Sequence, residues 1–312
     1  MQTFDTSYSY DRISLKVIPN GILIQRMPYA MKNRKLMIVI SDTNDKEVKS
    51  ITINTSKENR AVWNELPDGL FFLNLYLKVS KWNFTYVGYL QNRSLAIRIN
   101  KGRIHFIVAP IINSNRQVMS YIDTSPGMLK RYLQPSMLCQ SNDSEILKLA
   151  QQITKFKVTP MQKLLAIHDW CADNIFYDYD ALSTNECDKK SYSAIEVFHD
   201  RKCVCRGYAN LGVALMRAVG IPAIGMTCYA LNISTDGGWE RPENQTDNSN
   251  HIIAIAFAEQ RWVYMDITWD SDNKFEKGTF QKHTGTGLSR KYFDTTLEMI
   301  SNTHKFTGNR FV

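Results

Sequence analysis

Apolar residues between positions 10 and 115 gather in short runs rich in β-branched and aromatic side chains: Leu36-Met37-Ile38-Val39-Ile40, Ile51-Thr52-Ile53, Leu70 to Leu77, Thr85-Tyr86-Val87, Leu95 to Ile99 and Ile104 to Val108. Turn-forming residues separate them, namely Asp42-Thr43-Asn44-Asp45, Pro67-Asp68-Gly69 and Asn100-Lys101-Gly102. Six or seven strands at this spacing, with no helical period between them, predict an immunoglobulin-like β-sandwich over residues 1–115. Residues 116–143 read as a connector punctuated by Pro126 and Pro135.

From Ser144 the period becomes helical, with Ile146, Leu149, Ala150 and Ile153 on one face. A second helix opens at Thr159-Pro160-Met161-Gln162, where Thr159 can cap, Pro160 suits the first turn and Gln162 completes a capping box. Its apolar stripe takes in Leu164, Ile167, His168, Cys171 and Ile175, so His168 and Cys171 read as core. A third helix places Tyr208, Leu211, Gly212, Leu215, Ala218 and Val219 on one face, and Gly220 and Pro222 end it. Strand-like runs follow at Ala223 to Tyr229, Ile252 to Phe257 and Arg261 to Ile267, the first two separated by a polar stretch from Asn232 to Asn250.

Of the 312 residues, 44% are hydrophobic and 22% charged, a balance that supports buried cores. No apolar run approaches the ~18 residues of a membrane helix. No basic segment followed by an apolar one opens the chain, so no signal peptide is visible; the chain as written fits the cytoplasm, and a trimmed start would fit export or the cell surface. The formal charge is +8, and it is unevenly placed: residues 1–145 hold 19 Lys and Arg against 11 Asp and Glu, whereas the remainder holds 19 of each. A basic N-terminal half suits an anionic surface polymer. Nucleic acid is not expected, because no basic block or aromatic-interleaved basic stripe appears. The six cysteines all lie beyond residue 138, too sparse for a disulfide scaffold.

A reactive thiol needs a cysteine whose thiolate is favoured, a histidine to trade protons and a group that orients the histidine. Cys205 stands where the third helix begins, so unpaired backbone N–H groups and the positive end of the helix dipole favour its ionised form. His251 opens a strand directly after the polar stretch, and Asp266 ends the next one. A tight turn near Ala258-Glu259-Gln260 would fold the two strands into a hairpin and bring His251 beside Asp266. Cys203 and Cys205 have the wrong spacing for a Cys-x-x-Cys pair, and His199, Cys203, Cys205 and Cys228 match no common zinc site. No Gly-rich phosphate loop, His-Glu-x-x-His or Gly-x-Ser-x-Gly is present, so no metal or nucleotide cofactor is expected.

Cys205-Arg206-Gly207-Tyr208-Ala209, Gly220-Ile221-Pro222-Ala223, Asn250-His251 and Tyr264-Met265-Asp266-Ile267-Thr268-Trp269-Asp270, in that order, resemble the transglutaminase-like superfamily. Asn174-Ile175-Phe176-Tyr177-Asp178 and Lys291-Tyr292-Phe293 are similar to its flanking motifs. The resemblance spans roughly residues 145–305. It implies an α+β fold in which a papain-like domain over 144–312 follows the sandwich. It also implies a Cys–His–Asp triad of Cys205, His251 and Asp266 performing thiol-dependent acyl transfer on protein or peptide amides, with hydrolysis expected ahead of transamidation. Tyr177, Trp239 and Trp269 are candidates for the oxyanion or substrate contacts. The family pattern has a tryptophan two residues after the histidine, where this chain has Ile253. Some members have lost the triad and only bind, which makes a non-catalytic binding module the alternative.

Overall fold

The computed structural model describes residues 3–5, 7–10, 13–26, 34–42, 46–63, 66–78, 84–86, 96–108, 111–231, 239, 246–283, 288–290, 292–295 and 297–311. The chain divides into two compact units, one of Met1–Asn113 with Thr296–Thr303 and one of Ser114–Thr295 with His304–Val312.

Eleven described strands fill the first unit: β1 (Thr3–Asp5), β2 (Ser7–Tyr10), β3 (Ile13–Ile18), β4 (Gly21–Arg26), β5 (Lys35–Ser41), β6 (Glu47–Asn54), β7 (Arg60–Val62), β8 (Gly69–Lys78), β9 (Phe84–Tyr86), β10 (Ala96–Asn100) and β11 (Arg103–Val108). They form a sheet ordered β1-β11-β10-β8-β5-β6, with β9 also on β8, and a second sheet ordered β2-β3-β4-β7. All pairings are antiparallel. Strand alternation sends every second side chain inward. Leu36, Ile38 and Ile40 of β5 therefore meet Leu15, Ile22 and Ile24 of the other sheet in one buried cluster. The expected runs at 36–40, 51–53, 70–77, 95–99 and 104–108 fall on strands, whereas Val87 and Leu95 lie outside the described residues. Strands β1 to β4 and β7 were not expected. β1 and β7 have only three residues each and β2 is a run of Ser and Tyr, too little pattern to mark a strand, whereas β3 does alternate from Ile13 to Val17.

The second unit opens with α1 (Ile112–Ser120), which starts just before it, and α2 (Pro126–Arg131), which together occupy part of 116–143. Then come α3 (Ser144–Thr154), α4 (Pro160–Asn174), β12 (Phe176–Asp178), α5 (Tyr179–Ser183), α6 (Ala194–Asp200), β13 (Lys202–Cys203) and α7 (Cys205–Ala218). The remaining elements are β14 (Ala223–Ala230), β15 (His251–Ala258), β16 (Arg261–Met265), α8 (Ile267–Asp270), β17 (Lys274–Glu276), β18 (Thr279–Gln281), β19 (Phe293–Thr295), α9 (Leu297–Ile300, in the first unit) and β20 (His304–Phe311). An antiparallel sheet ordered β19-β16-β15-β14-β20 is the backbone of this unit, with a smaller sheet ordered β13-β12-β17-β18 beside the start of α7. The molecule is thus mixed α+β with several sheets. Among the described residues, no helix is long and apolar enough to cross a membrane.

Local signals explain the helices. Asp143 caps α3 by accepting from Glu145 N and Ile146 N, and the capping box of Thr159 and Gln162 opens α4 as its sequence predicts. Helix α7 is buried over almost all its length, from Gly207 to Arg217, and packs on α3, α4, β14 and β15. Gly220, at φ +81°, turns the chain out of it. Two close approaches fix its first turns. A Cβ on Gly207 would lie 2.4 Å from Cys203 Cβ and 2.8 Å from Val197 Cγ2, so α7 can start against β13 and α6 only with glycine there. The Tyr208 hydroxyl donates to Ile175 O at 2.9 Å and sits 3.1 Å from Ser271 Oγ, tying α7 to the segments that follow α4 and α8.

Candidate active site

Three elements converge on Cys205. Helix α7 presents it at its first position, with Val204 as the N-cap, so the amides of Cys205 and Arg206 precede the helix's own hydrogen-bond ladder. Strand β15 begins at His251, and the backbone of its next residue, Ile252, lies close enough to Cys205 to favour the thiolate. The β15–β16 hairpin turns through Glu259 and Gln260, both at positive φ, as a two-residue primed turn requires. Its register pairs Ala254 with Met265, which leaves Asp266 diagonal to His251. His251 Nε2 donates to Asp266 Oδ2 at 2.9 Å. The imidazole also lies close enough to Cys205 for each to favour the other's charged form, and with Nε2 committed to Asp266 the other ring nitrogen is the one left for sulfur. Cys205 is half-buried, His251 largely buried and Asp266 fully buried.

Burial and charge act against each other here, and charge prevails. Burial pushes the Cys205 thiol toward its neutral form, but the His251 hydrogen bond, the imidazolium charge and the Ile252 N–H together hold its pKa below the ordinary value. Burial disfavours the charged form of His251, yet the Asp266 carboxylate and the Cys205 sulfur raise it to about 10. Asp266 is held well below the usual carboxylate range, since its two histidine contacts outweigh the cost of burying it. The other cysteines contrast with Cys205: burial pushes Cys139, Cys171, Cys203 and Cys228 upward.

The remaining predicted residues fall around this group in different ways. Tyr177, in β12, pairs with Cys203 of β13, and its ring stacks 5.0 Å from Tyr179. Burial and the neighbouring Cys205 charge raise its phenol, which keeps it a proton donor. Trp269 is half-buried with its ring 5.7 Å from that of His251, and its backbone N–H donates to Asp266 Oδ1 at 3.1 Å. Trp239 is buried against Tyr229, with centroids 6.3 Å apart; the rest of the polar stretch, residues 232–238 and 240–245, lies outside the described residues, as does Lys291.

Sequence reasoning missed His304. It opens β20 and is fully buried, with Nε2 3.1 Å from the same Asp266 Oδ2 that His251 contacts. Its ring lies 4.6 Å from Trp269 and 5.7 Å from Tyr292. The one sequence signal is that it heads a strand, as His251 does. The ligand atoms of His251, Asp266 and His304 lie within 4.8 Å of one another, near enough to raise the question of a metal. Both histidines, however, meet one carboxylate oxygen at hydrogen-bond distance, so N–H protons fill the space a cation would need. A second buried cluster, His168 between Asp169 and Asp270, was expected as core; Asp270 also accepts from Ser289 Oγ and Tyr292 N, fixing the segment that covers Trp269.

Residues 147–267 match the sequence pattern of the transglutaminase-like superfamily. No curated protein matches the chain. Among solved structures, a candidate cysteine protease from Cytophaga hutchinsonii aligns over 90% of this chain and 83% of its own, with 19% identity and a TM-score of 0.37. A candidate protease from Parabacteroides distasonis aligns over 76% of this chain but only 38% of its own, with 13% identity and a TM-score of 0.30. The stretch from 147 to 267 that is similar to the transglutaminase-like superfamily contains Cys205, His251 and Asp266.

Proposed function

We propose that this chain is a thiol-dependent acyl-transfer enzyme acting on amide bonds of proteins or peptides, with Cys205 as nucleophile, His251 as acid and base, and Asp266 as the group that orients His251. The single observation that carries the reading is one buried imidazole joining a thiol of lowered pKa to a buried carboxylate. The Cys205 sulfur adds to the amide carbonyl, and the first-turn amides of α7 with the Tyr177 hydroxyl stand ready to receive the oxyanion. His251 gives its proton to the departing amine as the C–N bond breaks, leaving a thioester. Neutral His251 then takes a proton from water, whose oxygen attacks the thioester, and the thiolate leaves as the acid product forms. An amine in place of water would give transamidation; no feature of the sequence builds an obvious second amine site, which favours hydrolysis. Ile253 is buried where the family pattern has tryptophan, so Trp269 is the aromatic residue that walls the imidazole.

For the first unit we carry forward an immunoglobulin-like sandwich that holds an anionic polymeric partner, supported by the uneven charge of the chain. The functional division is a sandwich at 1–115, a connector at 116–143 and a catalytic domain at 144–312.

The test is incubation with peptide and amine libraries followed by mass spectrometry. Wild-type protein should release or exchange acyl groups, and Cys205→Ala should lose turnover by at least about 10⁴-fold. Full turnover in that variant would refute the enzyme reading. Binding without turnover by the wild type would favour the binding module.

A further inference from the structure

We propose that His304 is a positioning residue for the candidate triad: with His251 it clamps Asp266 Oδ2 between two imidazole N–H donors, so that the carboxylate divides its charge between them. This rests on the catalytic reading of Cys205, His251 and Asp266.

The geometry is specific. An ionised carboxylate only accepts, so His304 must carry a hydrogen on Nε2 to approach Oδ2 at 3.1 Å. His251 Nε2 approaches the same oxygen at 2.9 Å, and the Trp269 N–H occupies Oδ1. The carboxylate is therefore held on both oxygens, and rotation about its Cβ–Cγ bond would break all three contacts. His304 is itself fixed. Its ring is packed by Trp269 and Tyr292, and its backbone carbonyl accepts from Asn115 Nδ2 at 2.8 Å while Asn115 Oδ1 accepts from Phe306 N at 2.7 Å. The titratable groups facing this clamp are His251 from β15, Cys205 from α7, Cys228 from β14, and Tyr292.

A chemical consequence follows. Asp266 keeps the proton on His251, and a carboxylate reserved for one imidazole would hold it more tightly still. Acylation uses protonated His251, but deacylation needs it neutral. By drawing part of the carboxylate's charge, His304 keeps both forms within reach.

The experiment compares wild type, His304→Phe, His304→Gln and His304→Asn in the full-length protein. It measures iodoacetamide alkylation of Cys205 against pH, and kcat and KM on a peptide found by the library screen. In His304→Phe the acid limb of alkylation should move to lower pH, because a more tightly protonated His251 stabilises the thiolate. Deacylation should slow, with kcat down roughly tenfold, the scale of an orienting histidine–carboxylate contact, and KM within about twofold. Gln can place an N–H where Nε2 stands and should restore both; Asn is too short and should behave like Phe, which keeps the test open if Phe prevents folding. An acid limb unmoved or moved upward in His304→Phe or His304→Asn, or no rescue by Gln, overturns the proposal even if the thermal midpoint falls. If wild-type Cys205 alkylates with the pH profile of an ordinary thiol, the catalytic reading itself fails, a different outcome from the first.

Discussion

At the scale of single residues, the site is a contest between burial and charge. Burial alone would leave Cys205 protonated and His251 neutral; His251 with the Ile252 N–H reverses the first, and Asp266 with the Cys205 sulfur reverses the second. The expected activity profile is bell-shaped. Turnover should rise with pH as Cys205 ionises below its ordinary range. It should fall again as pH climbs through about 10 and His251 loses the proton that the leaving amine requires. The same shift bears on stability. His251 binds its proton more tightly folded than unfolded, so its contribution is complete below the unfolded value of about 6.5 and is lost as pH rises through about 10. Asp266, held down when folded, contributes above the ordinary carboxylate range and loses that contribution as acid protonates it. Wild type should thus lose thermal stability relative to His251→Gln between pH 7 and 10. A constant difference across that range would show that His251 is not shifted upward. At this scale the sequence points to candidates by residue type and place: a cysteine opening a helix, a histidine opening a strand and an aspartate ending the next. His304 also heads a strand, but 38 positions separate it from Asp266 and no local pattern pairs the two.

Elements carry these residues into register, and here glycine and turn chemistry decide. The β15–β16 hairpin was foreseeable from two apolar runs with a short break, and the diagonal placement of His251 and Asp266 follows from its two-residue turn. The capping box of α4 was equally legible. Gly207 was visible in the sequence, but the reason for it was not: Cys203 and Val197 come within 3 Å of any Cβ there, a fact of packing between elements distant in local pattern. Gly207→Ala should cost about 1–3 kcal/mol through overpacking, read as a lowered midpoint in denaturant. It should cost more in turnover than in stability, because it lifts the first turn of α7, on which Cys205 stands. A variant of unchanged midpoint and turnover would mean that α6 and β13 yield freely. The strands β1 and β2 escaped prediction for the converse reason: they are too short or too polar to show a pattern, and only pairing, β1 on β11 and β2 on β3, reveals them.

For the whole molecule, the excess of basic residues before position 146 sets the remaining expectation. The full chain should be retained on an immobilised anionic polysaccharide and released by added salt, since screening shortens the reach of charge to about 8 Å at physiological ionic strength. Retention indifferent to salt, or none at all, would remove the polymer from the reading. The change from a period of two to a helical period near Ser144 was plain in the sequence. The closing of the five-stranded sheet by β19 on one side and β20 on the other was not, because β19 has only three residues, β20 is largely polar, and both are remote in sequence from their partners.

That closing sheet has a consequence for biogenesis. Strand β20 is the last strand of its sheet in chain order, yet it covers the outer side of β14, an almost wholly buried, apolar strand. Until the ribosome has released β20, Ala223–Ala230 offers a naked edge to any neighbouring nascent chain. A premature stop before Thr303 should therefore yield a sticky, chaperone-dependent polypeptide rather than a merely less stable one.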